Sequence, residues 1–175
     1  KGAIHYLTEK ELDENIDYLK PRIKKEKVIV FIAGGPNKYY DFNDEIIEKI
    51  FFITKKNFIN QGYQLIFIPS MRTPQRIIDK AQNFFDDNQI IIQDIDKKAY
   101  LSSLKIANHI IVTCDSTSMI SEAAMSGRPI YVAQMPAIKK NIRFQKFFEL
   151  FKSLDIIKNL EDTVQEWNYK KLNET

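Results

Sequence analysis

One cysteine, one tryptophan and five glycines are all that 175 residues offer of those types. A lone Cys114 excludes an internal disulfide framework and suits a reducing compartment, so a cytoplasmic chain is expected. No apolar run approaches the roughly 20 residues that span a bilayer, and no signal peptide opens the chain, which gives a soluble or at most peripheral protein. Charge of one sign is also scarce: 26 basic against 23 acidic residues leave a net +3, too little for an electrostatic nucleic-acid binder. The basic run from Lys20 to Lys27 reads as the solvated end of a helix. There is no His/Cys/Asp cluster at ligand spacing, so no metal is expected. Internal repeats and low-complexity linkers are lacking too. What remains, 44% hydrophobic and 28% charged, suffices for one domain with a full core. The first residue is Lys1 rather than Met, which reads as a fragment or a processed chain.

The chain is organised around Asp115 to Pro129. Ile110 to Cys114 before it and Pro129 to Ala133 after it are apolar, so the order reads strand, polar turn, short helix, glycine stop at Gly127, strand. Ser116, Thr117 and Ser118 set three hydroxyls where a helix start exposes unpaired N–H groups and its positive dipole end, and phosphate is a natural guest there. On a helical wheel Met119, Ile120, Ala123 and Ala124 share the core side, while Ser118 and Glu122 stack one turn apart on the other. A capping box places its acid three residues after the cap, and Glu122 is four after Ser118. An ordinary favourable acid in a first turn accounts for Glu122 as well. Asp115 reads best as fixing the turn through an Asx-type hydrogen bond.

Elsewhere strands alternate with helices. Thr8 to Lys24 reads as a helix with a capping-box start, bent or ended by Pro21. Val28 to Ala33 is a continuous apolar strand running into Gly34-Gly35-Pro36-Asn37, where glycine permits a sharp turn and the close approach of a ligand. This turn lacks the full dinucleotide fingerprint. Asn43 to Asn60 is an amphipathic helix closed by Gly62, and Tyr63 to Pro69 the second strand. Thr73 caps a helix running to about Asp87, with Pro74 at its first position. Arg72 is either a solvent-facing loop residue or a phosphate partner. Gln89 to Gln93 is a short third strand, Lys97 to Asn108 a helix, His109 a satisfied edge residue at the start of strand four, and Lys139 to Leu154 a helix outside the sheet. The pairs Phe51-Phe52, Phe84-Phe85 and Phe147-Phe148 read as core.

This alternation predicts an α/β, Rossmann-like, doubly wound parallel sheet with strand order 3-2-1-4-5. Strands one and four are then neighbours at the switch point, which brings Gly34-Gly35 to Ser116-Thr117-Ser118 at the crevice where ligands of such sheets bind.

The runs GGPNKYY, PSMRTP and DSTSMISEAAMSGRPIYV, with the tail Trp167-Asn168-Tyr169-Lys170-Lys171-Leu172-Asn173-Glu174-Thr175, resemble the mitochondrial-fission elongated-mitochondria-like family. Its bacterial members are often labelled predicted nucleoside-diphosphate-sugar epimerases. The likeness covers nearly all of the chain from Val28. The sequence departs from the family pattern at Lys98-Ala99-Tyr100, where an asparagine-proline-tyrosine is usual, and at Lys171, where the tail has proline. The family in turn looks like the carboxyl-terminal, donor-binding half of GT-B glycosyltransferases.

The resemblance implies that Ser116, Thr117 and Ser118 meet the phosphates of a nucleotide-diphospho-sugar and that Glu122 takes its ribose hydroxyls. Gly34 and Gly35 would line the opposite wall, with Lys38 and Arg72 neutralising charge. The nucleotide sugar is a substrate, no cofactor is implied, and no catalytic residue is assigned. Residues 1–26 become a linker helix, 27–160 the nucleotide-sugar-binding domain, and 161–175 a tail packing back toward an amino-terminal domain that binds the acceptor and lies outside this chain. The expected function is donor binding for a glycosyltransferase-like or epimerase-like enzyme. The alternative is a catalytically silent module acting through proteins at a membrane surface. A crevice plugged by Tyr39, Tyr40 or Met71 would favour that alternative.

Overall fold

The computed structural model describes residues 7–161, 164 and 166–171. Among these, six strands form one parallel sheet: β1 (Lys27–Ile32), β2 (Tyr63–Ile68), β3 (Ile90–Ile91), β4 (His109–Thr113), β5 (Ile130–Ala133) and β6 (Ile157–Asn159), in the order β3-β2-β1-β4-β5-β6. Helices α2 (Asp44–Asn57), α3 (Gln75–Phe84), α4 (Lys97–Ile106), α5 (Thr117–Ala124) and α6 (Ile142–Ser153) make the crossovers, and α1 (Glu9–Asn15) precedes the sheet. The doubly wound Rossmann-like class expected from the alternation is the one observed. It follows from strands that are apolar on both faces: β2, β4 and β5 are buried along their whole length, and β1 from Val28 onward.

Helix α2 lies beside α3, and α1 against α4. Phe31 and Phe67 stack at 5.6 Å, and Phe51 meets both rings from the covering helix. Phe52, one position on and about 100° round the helix, is exposed, so only one ring of that pair is core. No helix of the described residues is long and apolar enough to cross a membrane.

Several expected elements differ. The first helix does not run from Thr8 to Lys24. Thr8 does cap it, but α1 stops at Asn15 and two 3₁₀ turns follow, Ile16–Tyr18 and Lys20–Arg22. Pro21 lacks an N–H, and the N–H of Leu19 goes to Ser102 Oγ at 3.0 Å instead of to its own helix. Strand three shrinks to Ile90–Ile91, since the Gln89 side chain accepts the N–H of Leu65 that a longer ladder would use. Helix α6 starts at Ile142 rather than Lys139 because Asn141 caps it. A sixth strand, which the apolar pattern did not show, extends the sheet beyond β5. His109 is no edge residue: it is buried at the start of β4, between β1 and β5.

Candidate functional site

Parallel pairing of β1 with β4, with Ile32 opposite Val112, carries the chain after both strands to the same end of the sheet. Three loops meet there. The N–H of Gly34 donates to Thr113 Oγ1 at 2.8 Å, and that hydroxyl donates to Asp115 Oδ1 at 2.6 Å. The N–H of Gly35 donates to Asp115 Oδ2 at 3.2 Å, and the guanidinium of Arg72 pairs with the same oxygen. Thr73 Oγ1 lies 2.7 Å from the carbonyl of Gly34 and accepts the N–H of Ser70 at 2.8 Å. A Cβ on Gly34 would run into the Asp115 carboxylate, and one on Gly35 into the backbone carbonyl of Arg72. The two glycines therefore admit neighbouring loops of the protein itself, where the sequence suggested room for a ligand. Both are buried and both amides are taken.

Asp115 was expected to fix its turn through an Asx-type hydrogen bond, but its carboxylate takes the Gly35 amide, the Thr113 hydroxyl and Arg72 instead. Its buried carboxylate ties the loops after β1, β2 and β4 together. Burial raises its pKa, against which Thr113, the Gly35 amide and Arg72 pull downward. Beside it, burial pushes the Cys114 thiol up to about 12, as expected of a core residue and not of a nucleophile. The Tyr40 hydroxyl is likewise pushed up to about 12, by burial first and then by Cys114 and Asp115. Thr73, expected as a helix cap, is spent on this crossing. Pro74 occupies the cap position of α3 and offers no side-chain hydrogen bond.

Over this floor stands α5. Its cap is Ser116, whose Oγ accepts the N–H of Met119 at 3.2 Å. Thr117 and Ser118 are the first two helical residues, and their amides donate to no acceptor among the described residues. With Ser116 as cap, Glu122 lies beyond the first turn and is neither a capping-box acid nor a first-turn acid. Its carboxylate instead takes a 2.6 Å hydrogen bond from the hydroxyl of Tyr100 on α4. Burial, and then Glu122, raise the Tyr100 pKa, so its proton stays on the oxygen. Glu122 and Tyr100 wall a cavity of about 320 Å³ that Met119, Pro69, Met71 and Ile95 complete with apolar surface.

The crevice is not plugged. Met71 is 89% exposed at the cavity rim, while Tyr39 and Tyr40 lie against Phe144 of α6 at 5.5 and 6.0 Å. Of the residues singled out from sequence, Gly34, Gly35, Arg72 and Asp115 are in mutual contact, and Ser116, Thr117, Ser118 and Glu122 lie along α5. Lys38 stands apart on the exposed rim, its ammonium 5.2 Å over the Tyr39 ring. Sequence reasoning overlooked Thr113, Thr73 and Tyr100 as site builders. The signal for Tyr100 was its place on the pocket-facing side of an amphipathic helix next to the switch point.

At the opposite end of the sheet the tail returns to this same domain. Trp167 meets Tyr131 edge to face at 5.2 Å, and the Tyr169 hydroxyl donates to the carbonyl of Arg128. Lys171 Nζ pairs with Glu9 of α1 at 2.8 Å, bringing the tail and α1 together. The expected course toward another domain falls partly on residues 162, 163, 165 and 172–175, which lie outside the described residues. Buried His109 holds Glu166 of the tail at 2.9 Å. Among the described residues no three His, Cys, Asp or Glu side chains converge as a metal cluster.

The chain is similar to several known proteins. An uncharacterised protein of Rickettsia prowazekii, RP120, is 29% identical over 99% of this chain and 51% of its own length. The mitochondrial fission protein ELM1 of Arabidopsis thaliana is 30% identical over 61% of the chain and 26% of its own length. The chain thus spans about half of one relative and about a quarter of the other. A solved UDP-GlcNAc 2-epimerase of Neisseria meningitidis bound to UDP-GlcNAc is 15% identical over 82% of this chain and 43% of that one, at a TM-score of 0.45, which decides nothing about function. The family model for mitochondrial fission ELM1 matches residues 1–175, and the chain belongs to that family.

Proposed function

We propose that this chain is the donor-binding domain of a glycosyltransferase-like or epimerase-like enzyme and that it holds a nucleoside-diphosphate sugar at α5. The observation that carries the proposal is the Glu122 carboxylate, fixed by Tyr100 at the wall of an open cavity, one turn along from the uncapped amides of Thr117 and Ser118. Four residues of helix rise about 6 Å, comparable with the distance from an α-phosphate to the ribose hydroxyls of a nucleotide. The Thr117 and Ser118 amides and the Ser118 hydroxyl take the diphosphate, aided by the helix dipole. Glu122 takes the ribose hydroxyls, and the apolar wall of Met119, Pro69 and Ile95 receives the base. Arg72, 44% exposed and anchored on Asp115, faces the diphosphate as a fixed positive charge, stabilising it as a leaving group when the glycosyl bond breaks. Gly34 and Gly35 act one step back, by letting the three loops close. Lys38, on the far rim, is left out of the phosphate set.

A ligand-detected screen of UDP-, GDP-, ADP- and CMP-sugars tests the assignment. At least one nucleotide sugar binds at millimolar concentration or tighter, and Glu122→Ala and Ser118→Ala each weaken it about tenfold, the cost of losing one or two charge-assisted hydrogen bonds. If the longer protein also binds none of them, the enzymatic reading falls.

A further inference from the structure

Thr117 and Met119 point to opposite sides of α5, about 200° apart, so the helix start divides two cavities. The nucleoside cavity lies on the Met119 side. On the other lies a larger one of about 480 Å³, walled by Thr117, Tyr39 and the α6 residues Arg143, Phe144, Lys146 and Phe147. Its chemistry differs from that of its neighbour. The nucleoside cavity includes Asp96 and Glu122, whereas no acid lines this one. Arg143 and Lys146 form no ion pair among the described residues, and Lys38 and Lys139 both stand over the Tyr39 ring at its rim.

Cations alone would suit any anion, but the same arc of α6 is also apolar. Ile142, Lys146, Leu150 and Arg143 fall within about 100° of one another around the helix. Ile142 and Leu150 are 60% and 50% exposed, and Leu154 beyond the helix end is 47% exposed. Next to this arc Phe147 turns inward and stacks on buried Phe151 at 4.2 Å. An aliphatic strip thus leads out of a cationic, aromatic cavity. That combination complements a ligand with a negative head and an apolar chain, since a simple anion leaves Leu150 and Leu154 in water and a neutral chain leaves two cations unpaired.

We propose that this cavity binds an anionic amphiphile, its phosphate or carboxylate at Arg143, Lys146 and Thr117 and its aliphatic chain along Leu150 and Leu154. The binding does not rest on the nucleotide-sugar reading. Dodecyl phosphate below its micelle concentration is titrated calorimetrically into the purified protein, with inorganic phosphate and dodecyl maltoside as separate arms. Dodecyl phosphate binds at least about tenfold more tightly than either, and Arg143→Gln combined with Lys146→Gln removes about that factor. Both side chains are exposed, so the double variant folds, and it keeps its affinity for nucleotide sugars, whereas Glu122→Ala shows the reverse pattern. Inorganic phosphate equalling dodecyl phosphate, dodecyl maltoside equalling it, or an unchanged double variant each overturns the proposal. Dodecyl phosphate binding, with no nucleotide sugar bound by this chain or by the longer protein, leaves the cavity assignment standing and removes the donor reading.

Discussion

The residues at the loop crossing are fixed by contact and not by backbone conformation. Gly35 has no positive φ, yet a methyl there meets the Arg72 carbonyl, a backbone atom that cannot swing aside. Gly35→Ala is therefore expected to lower stability by about 1–3 kcal/mol in chemical denaturation, as overpacking does. Gly62 differs. Its φ of 96° is left-handed with open space around it, and Gly62→Ala costs only about 1–2 kcal/mol through strain. Asp115 gives a pH signature. A carboxyl raised by burial binds its proton more tightly in the folded state than in the unfolded one, where its value is near 3.8. Its contribution to stability is highest below that value and is lost as pH rises through the raised folded pKa, then stays constant. Relative to Asp115→Asn, wild type should lose stability as pH climbs out of the acid range; a difference that grows with pH in wild type's favour refutes the assignment. The expected strand order brought Gly34 and Gly35 to the turn at Asp115, about 80 positions away, but it could not show that the Asp115 carboxylate itself fills the space beside them.

At the scale of the element, α5 shows how a short helix can be located from sequence while its cap stays open among three candidates. Three consecutive hydroxyl residues satisfy the same cap preference, and only the backbone decides; Ser116 is extended and its Oγ reaches Met119. Ser116→Ala is expected to cost about 1 kcal/mol in thermal or chemical unfolding, whereas exposed Ser118→Ala stays within about 0.5 kcal/mol of wild type. An equal cost for both would mean the cap is shared. Helices with strong periodicity, α2 and α4, were legible to within a few residues. The strand β6 was not, since three residues, Ile157–Asn159, carry too little alternation to separate a strand from a loop and become one only beside β5. The first helix failed for a similar reason: Leu12 and Leu19 are both buried and keep a helical spacing with Ile16, although the chain between them passes into the 3₁₀ turn Ile16–Tyr18.

For the whole molecule, alternation of apolar runs with amphipathic segments was enough to set strand order around β1 and β4, and hence the place of the crevice. It could not show that the crevice is two cavities parted by α5, because that depends on α6 standing off Thr117 while α4 brings Tyr100 to Glu122. In the proposed donor site Glu122 reads a ribose. Its most direct measurement is a double-mutant cycle on ligand affinity: wild type and Glu122→Ala, each titrated with the best nucleotide sugar and with its 2′-deoxy analogue. Removing the ribose hydroxyl or the carboxylate is expected to weaken binding by about tenfold in each case, and removing both to cost little more than either alone. Fully additive losses, or a 2′-deoxy analogue that binds wild type as well as the parent does, would contradict it.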